Sequence, residues 1–189
     1  DEKNKDLIVA PKRSAPTWTD LKVKLADLDR AELVGLVQAL YAASRENQTF
    51  LHARFALGED VLKPYKAAID RWLWPDHRKK QDTSVAKAKK AITDYKRAVG
   101  QAEGLAELMV FYCERAAGFA IDVGLRGDEG YADALVRMFA QALKIVGTLP
   151  PQERAELWDR LVEVSRVGEE FPFQIGGEMG YLLAEAAER

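Results

Sequence analysis

The side chains that most often carry chemistry are few and widely separated in this sequence. Histidine occurs only at His52 and His77, which are 25 residues apart. Neither has the His-x-x-x-His or Cys-x-x-Cys spacing that brings ligands to one ion, so we expect no metal. The single cysteine, Cys113, lies among apolar residues of a helical pattern and is expected to be a buried hydrophobe rather than a nucleophile. These residues predict no catalytic group and no cofactor, and they favour a non-enzymatic protein.

A glycine-rich stretch, QIGGEMGY at residues 174–181, has two interpretations. Its backbone amides could hold an anion at the start of a helix, but neither a preceding strand nor the lysine of a phosphate-binding loop accompanies it. The other interpretation is a turn before a short terminal helix. We expect the turn.

The most distinctive polar feature is a basic segment over residues 77–97. Its cations, together with Trp72 and Trp74 just upstream, could contact phosphates and stack on bases. The whole-chain pI of about 5.8 is low for a nucleic-acid-binding protein. The same cations could instead form a solvated helix face or bind an acidic protein. The candidate surface for an anionic partner consists of Arg78, Lys79, Lys80, Lys87, Lys89, Lys90, Lys96 and Arg97.

The charge of the chain is strongly polarised although its total is only −2. The formal charge is −1 over residues 1–62, +7 over 63–97 and −8 over 98–189. Such a distribution can attract partners of opposite charge to different sides of a molecule, or promote association between copies of the chain.

One aromatic residue lies where the helical pattern places charges. In the segment 101–124, Phe111 shares its sector of the helix with acidic and basic side chains, and Gly104 and Gly118 lie seven residues to either side. Phe111 could therefore pack against another helix of the same chain, or contact a partner. Together with Trp72 and Trp74, we take it as a candidate interface aromatic.

The elements that position these residues are predicted to be helices. The composition, rich in Ala, Leu, Glu, Lys and Arg, is typical of an all-α protein. Residues 101–124 have an apolar arc too wide for a surface helix, and so predict a central helix. We expect a bundle of about eight to nine antiparallel helices or a short helical-repeat-like array, the latter suggested by the echo of DRAEL (29–33) in ERAEL (153–157).

The domain organisation follows from the polar and proline-containing stretches. Residues 1–16 predict an extended N-terminal arm or linker, and residues 17–189 a single helical domain with a soft boundary near 73–84. Neither a long apolar run nor the apolar core of a signal peptide is found, so we expect no membrane contact and a cytoplasmic location.

Three segments resemble a group of small, all-helical bacterial proteins of unknown function: TWTDLKVKLADLDRAELVGLVQALYAAS, VAKAKKAITDYKRA and LAELMVFYCERAAGFAIDVG. The resemblance covers most of the chain after residue 16. It implies a helical fold and brings no activity, cofactor or catalytic residue.

These patterns together predict a helical scaffold or adaptor that binds another protein, or a second copy of itself. The alternative function is nucleic-acid binding through residues 77–97. Binding across a salt series separates the two, because phosphate contacts weaken steeply with salt.

Overall fold

The computed structural model describes residues 15–76, 79, 81–124, 129–171 and 175–188, and this part of the chain forms nine α-helices. The prediction of an all-α helical bundle is confirmed. The chain divides into two compact units, Asp1–Arg45 and Glu46–Arg189. The helices are α1 (Trp18–Ala26), α2 (Arg30–Ala43), α3 (Arg45–Arg54), α4 (Lys63–Leu73), α5 (Val85–Ala98), α6 (Ala102–Val123), α7 (Glu129–Gly147), α8 (Pro151–Gly168) and α9 (Ile175–Ala187).

The first unit consists of α1 and α2, and both helices begin at capping boxes. Thr17 and Asp20 exchange backbone and side-chain hydrogen bonds, and Asp29 and Glu32 do the same, with distances of 2.8 Å for the latter pair. Such reciprocal caps satisfy amides that a helix start leaves unpaired. Neither helix contains a buried residue. Local signals therefore define these helices, without a hydrophobic core of their own.

The second unit is built around α6, as its sequence predicts. Eleven of its residues are buried, including Leu108, Val110, Tyr112 and Cys113, none of which is more than 1% exposed. Helices α4, α7 and α8 pack most extensively against α6. Burying an apolar side chain stabilises a fold by about 1.5–3 kcal/mol, so this helix supplies much of the unit's stability.

Aromatic side chains connect the helices around α6 through ring contacts and hydroxyl groups. The rings of Tyr65 and Tyr95 meet edge to face with centroids 5.4 Å apart, which joins α4 to α5. The hydroxyl of Tyr131 on α7 lies 3.3 Å from the carbonyl oxygen of Leu73 and 3.5 Å from that of Ala116. Because the first of these carbonyls ends α4 and the second belongs to α6, one side chain fixes three helices.

The expectation of a turn at the glycine-rich stretch is wrong. Gly176, Gly177 and Gly180 lie inside α9, which begins at Ile175. A Cβ atom on Gly176 would lie 2.6 Å from the backbone of Glu169, so this glycine permits α9 to approach the end of α8. The glycines locally favour a turn, but close packing of α9 against the end of α8 stabilises a helix instead.

The DRAEL and ERAEL segments occupy different positions in their helices. Asp29 is the N-cap of α2, whereas the corresponding Glu153 lies within the first turn of α8, where Pro150 is the cap. The echo therefore does not mark equivalent positions of a structural repeat.

The predicted arm falls mostly outside the described residues, because only positions 15 and 16 of it are described. The boundary expected near 73–84 lies within the second unit, between α4 and α5, which pack on each other. The single domain over 17–189 stays a prediction.

Candidate functional site

The charged side of α6 binds charged residues of two neighbouring helices. Arg160 of α8 donates from Nε and Nη2 to Glu114 at 2.7 and 2.8 Å, and from Nη1 to Glu107 at 2.6 Å. The ammonium of Lys66 on α4 lies 2.6 Å from the other oxygen of Glu107. We call these four residues the central ion cluster. A planar guanidinium suits this geometry because it can bind two carboxylates at once.

The electrostatics of the central ion cluster keep its members charged. Burial of the Glu107 carboxyl opposes ionisation, but hydrogen bonds and positive charge from Arg160 and Lys66 outweigh it and hold its pKa below the ordinary value. The hydrogen bonds that Arg160 donates to Glu114 and Glu107 raise the pKa of its guanidinium despite its burial. Each charge thus has a partner, which makes the cluster a connection between α4, α6 and α8 rather than a source of reactive protons.

The Glu107→Gln variant is expected to lose stability in a pH-dependent way. Because the folded-state pKa of Glu107 lies below 4.5, its ionised form stabilises the fold fully above that pH, and this contribution is lost as the pH falls through the folded-state pKa. The difference in unfolding free energy between wild type and variant should therefore shrink between about pH 7 and about pH 3. Urea denaturation followed by circular dichroism measures it, with Glu178→Gln as the control for an exposed carboxylate. A difference that stays constant or grows in acid would contradict this account.

Phe111 lies next to the central ion cluster and is partly buried against the core. The ammonium of Lys66 is 5.4 Å from the centroid of its ring. The apolar ring and the charged strip of α6 are therefore covered in part by the same lysine. Its role as an interface aromatic stays a prediction.

The glycines that flank Phe111 receive aromatic side chains of the same unit. A Cβ atom on Gly118 would lie 2.5 Å from the ring of Trp74, and one on Gly104 would lie 2.0 Å from the hydroxyl of Tyr95. The guanidinium of Arg115 also lies over the ring of Trp74, 4.1 Å from its centroid. Arg115 also pairs with Asp70 at 2.6 Å. Trp74, which caps the end of α4, thus packs on α6.

Trp72 is likewise engaged by residues of its own unit. Arg71 and Lys87 place cationic groups 4.3 and 4.0 Å from the ring centroid, and the ring is partly buried against the core. Cation–π contacts of this kind are worth about 0.5–1 kcal/mol at exposed sites. Both tryptophans of the predicted surface therefore have structural contacts that a stacked base would have to replace.

The basic face of α5 remains accessible in part. Lys89, Lys96 and Arg97 are exposed, whereas Lys90 pairs with Asp94 at 2.5 Å. Before the helix, Lys79 pairs with Asp76 at 3.5 Å. Arg78 and Lys80 lie outside the described residues. Five cations of α5 are exposed and form a positive surface that could attract an anionic partner: Lys87, Lys89, Lys90, Lys96 and Arg97.

No protein-family model, curated protein or solved structure matches this chain.

Within the described residues, the structure shows neither a cluster of metal ligands nor a reactive cysteine. No group of three or more potential ligand side chains is found there, and His77 lies outside it. Cys113 is fully buried, and burial raises the pKa of its thiol, which disfavours the reactive thiolate. In these same residues no helix combines the length and the apolar character needed to cross a bilayer.

An open groove of about 950 Å³ lies among α7, α8 and α9. Leu143, Trp158 and Leu182 contribute apolar walls, and Lys144, Arg154, Asp159 and Glu185 contribute charges of both signs. Its volume is within the range of ligand sites.

The surface that sequence reasoning missed is the N-terminal helix pair, by which we mean α1 and α2 with their caps, residues 17–44. Helical periodicity assigns its apolar residues to inward faces, but nine large side chains of this pair are 37–66% exposed. These are Trp18, Leu21, Val23, Leu33, Val34, Leu36, Val37, Leu40 and Tyr41. A signal was present in the sequence: Arg30, Glu32 and Gln38 are the only polar residues of α2, and a helix that is apolar on almost all sides normally requires burial.

Proposed function

We propose that this protein is a non-catalytic helical scaffold or adaptor that acts by binding other proteins, with the N-terminal helix pair as its main contact surface. The observation that carries the proposal is the exposure of Trp18 (66%) and Val34 (61%) on helices that contain no buried residue. Isolated helices of 9 and 14 residues are marginal in water, so contact with a partner would stabilise them. The second unit supplies a rigid body through α6 and the central ion cluster.

The number of exposed apolar side chains supports the proposal. Nine large side chains of the N-terminal helix pair are 37–66% exposed, whereas soluble monomeric proteins rarely leave large contiguous apolar patches in water. The N-terminal helix pair therefore has the apolar character of a protein contact surface.

A photo-reactive amino acid placed at Val34 is expected to cross-link to another polypeptide in cells that make this protein natively. The same group at Val162, a 44% exposed valine of α8, is the matched control and should give few adducts. Mass spectrometry of the purified adducts identifies the partner. Absence of adducts from position 34, or equal yields from both positions, would contradict the proposed contact surface.

The second candidate function is nucleic-acid binding, favoured by the exposed Lys89, Lys96 and Arg97 of α5. If these residues contact phosphates, affinity should fall steeply with salt, and Lys89→Gln should lower the slope of log affinity against log salt by about 1. Filter binding with single-stranded and duplex probes tests this. No binding at low salt would remove this candidate.

A further inference from the structure

The groove among α7, α8 and α9, which we call the α7–α9 groove, is bordered by small residues that leave space between the helices. These small residues are Ala140, Gly147, Ala155 and Ala186. Beyond its chain neighbours and its own helix backbone, a Cβ atom on Gly147 would have no described atom within 4 Å. Along α8 the lining extends from Pro151 to Asp159, roughly 12 Å at the rise of an α-helix. The groove is therefore an elongated hollow that suits a linear ligand.

The walls of the α7–α9 groove are apolar on each of its three helices. Leu143 of α7 is 4% exposed, and Trp158 of α8 and Leu182 of α9 are partly buried against the core. Ligand sites are usually lined in this way by apolar side chains, with a few polar groups that fix the orientation of the ligand. Burial of a hydrocarbon chain against these walls would drive binding through the hydrophobic effect.

The same groove is lined by two cations that have no carboxylate partner among the described residues. Over residues 98–189 the chain has 16 acidic and 8 basic residues, so a cation in this region is surrounded by potential partners. The structure describes six of these cations, and four of them pair with carboxylates: Arg115, Arg137, Arg160 and Arg166. The remaining two, Lys144 and Arg154, both line the α7–α9 groove. Their positive charge is therefore available to a ligand.

Lys144 and Arg154 both lie close to the turn that joins α7 to α8. Lys144 belongs to the last turn of α7, and Arg154 is the fourth residue of α8. Asp159 also lines the groove, but it lies five residues beyond Arg154, about 7.5 Å further along the helix axis. Glu185, the fourth charged residue of the lining, takes part in another interaction of the chain. The end beside the turn thus fits one anionic group, and Asp159 would repel a second negative charge.

We propose that the α7–α9 groove binds a monocarboxylate with an unbranched apolar chain, such as a medium-chain fatty acid. The carboxylate would pair with Arg154 and Lys144, because a guanidinium can donate two parallel hydrogen bonds to a carboxylate. The chain would lie against Leu143, Trp158 and Leu182. All these residues belong to the second unit, so the ligand site is independent of the protein contact proposed for the N-terminal helix pair.

Isothermal titration calorimetry of the full chain with decanoate tests this site. One decanoate should bind per chain, and octanoate should bind about 10-fold more weakly because it buries two fewer methylene groups. Decanedioate should also bind more weakly than decanoate, since its second carboxylate would approach Asp159. Decyltrimethylammonium has the same chain length with the opposite charge and should bind at least about 10-fold more weakly than decanoate.

Variants of the lining locate the site. Arg154→Gln and Lys144→Gln should each weaken decanoate binding about 10-fold through loss of a charge-assisted hydrogen bond. Ala155→Leu should weaken it by at least as much, because the larger side chain fills the groove. Arg166→Gln is the matched control on α8, since Arg166 is exposed and pairs with Glu163, and it should leave the affinity unchanged. Circular dichroism checks that each variant is folded.

Decanoate must also be shown not to bind at the exposed apolar side chains of the N-terminal helix pair. Leu40→Ser, at a residue that is 51% exposed on α2, should leave the affinity for decanoate unchanged. Loss of affinity in Leu40→Ser but not in Arg154→Gln would overturn the proposal. The absence of saturable decanoate binding, or equal affinities for decanoate and decyltrimethylammonium, would overturn it as well.

Discussion

Gly176→Ala is expected to destabilise the protein by at least about 3 kcal/mol, a large fraction of the 5–15 kcal/mol that usually separates folded from unfolded domains. The new Cβ would lie 2.6 Å from both the amide nitrogen and the Cα of Glu169. Backbone atoms cannot rotate away as a side chain can, so α9 would have to separate from the end of α8. The methyl group of Met179, which lies against Gly168, would be displaced with it.

Gly177→Ala is the matched control one residue along the same helix. No atom lies within 4 Å of the position that its Cβ would occupy, and the residue is exposed. Because alanine is the better helix former, this variant should be neutral or more stable by up to about 0.5 kcal/mol. Thermal and urea unfolding measure both variants. Equal effects of the two substitutions would show that helix propensity, and not the α8–α9 approach, determines the role of Gly176.

Arg160→Ala is expected to cost about 2–4 kcal/mol of unfolding free energy, because it leaves two partly buried carboxylates without their shared guanidinium. Glu107 keeps the ammonium of Lys66 at 2.6 Å, but the bidentate contact with Glu114 disappears. Arg160→Lys should recover only part of the loss, since an ammonium cannot form the planar bidentate contact with Glu114 while also binding Glu107.

Arg166→Ala, on the same helix, is the control for this prediction. Arg166 pairs with Glu163 three residues earlier, and both side chains are more than half exposed. Exposed pairs contribute little to stability because water screens them. Chemical denaturation compares the variants. If Arg160→Ala and Arg166→Ala had the same small effect, the central ion cluster would not be a structural connection between α4, α6 and α8.

The sequence was sufficient to predict the helices, because the relevant signals are local. The apolar arc of residues 101–124 is the central helix α6, and capping residues Thr17 and Asp29 precede α1 and α2 in the sequence. Position 176 shows the limit of this reasoning. Three glycines in seven residues locally favour a turn, and only the backbone of Glu169 nearby in space explains why a helix forms instead.

The candidate site was less predictable, because its partners are distant in the chain. Helical periodicity places Glu107 and Glu114 on the polar strip of α6, but their partner Arg160 is 53 and 46 residues away from them. The sequence makes Trp74 a candidate interface aromatic, and its contacts with Arg115 and Gly118 depend on how α4 crosses α6. Helical periodicity assigns a residue to a side of its helix, but it does not identify what covers that side.

In the N-terminal helix pair, too, periodicity does not identify what covers a helix face, but here the apolar face is exposed. Leu33, Leu36 and Leu40 have the helical spacing that is typical of a core face, yet these residues are 38–51% exposed. A stripe that looks like a core face serves equally well as a contact face for a partner, since burial of the same apolar area drives both. The second unit therefore supplies rigidity, and we assign association to α1 and α2.

Amide hydrogen exchange with and without the captured partner tests this division most directly. The proposed contact surface predicts that amides of α2, residues 30–43, exchange more slowly when the partner cross-linked through Val34 is present, whereas those of α6 exchange equally slowly with and without it. Exchange in α2 that is fast and unchanged in the presence of the partner would contradict the association role. Slow exchange in α2 of the isolated chain would contradict it as well.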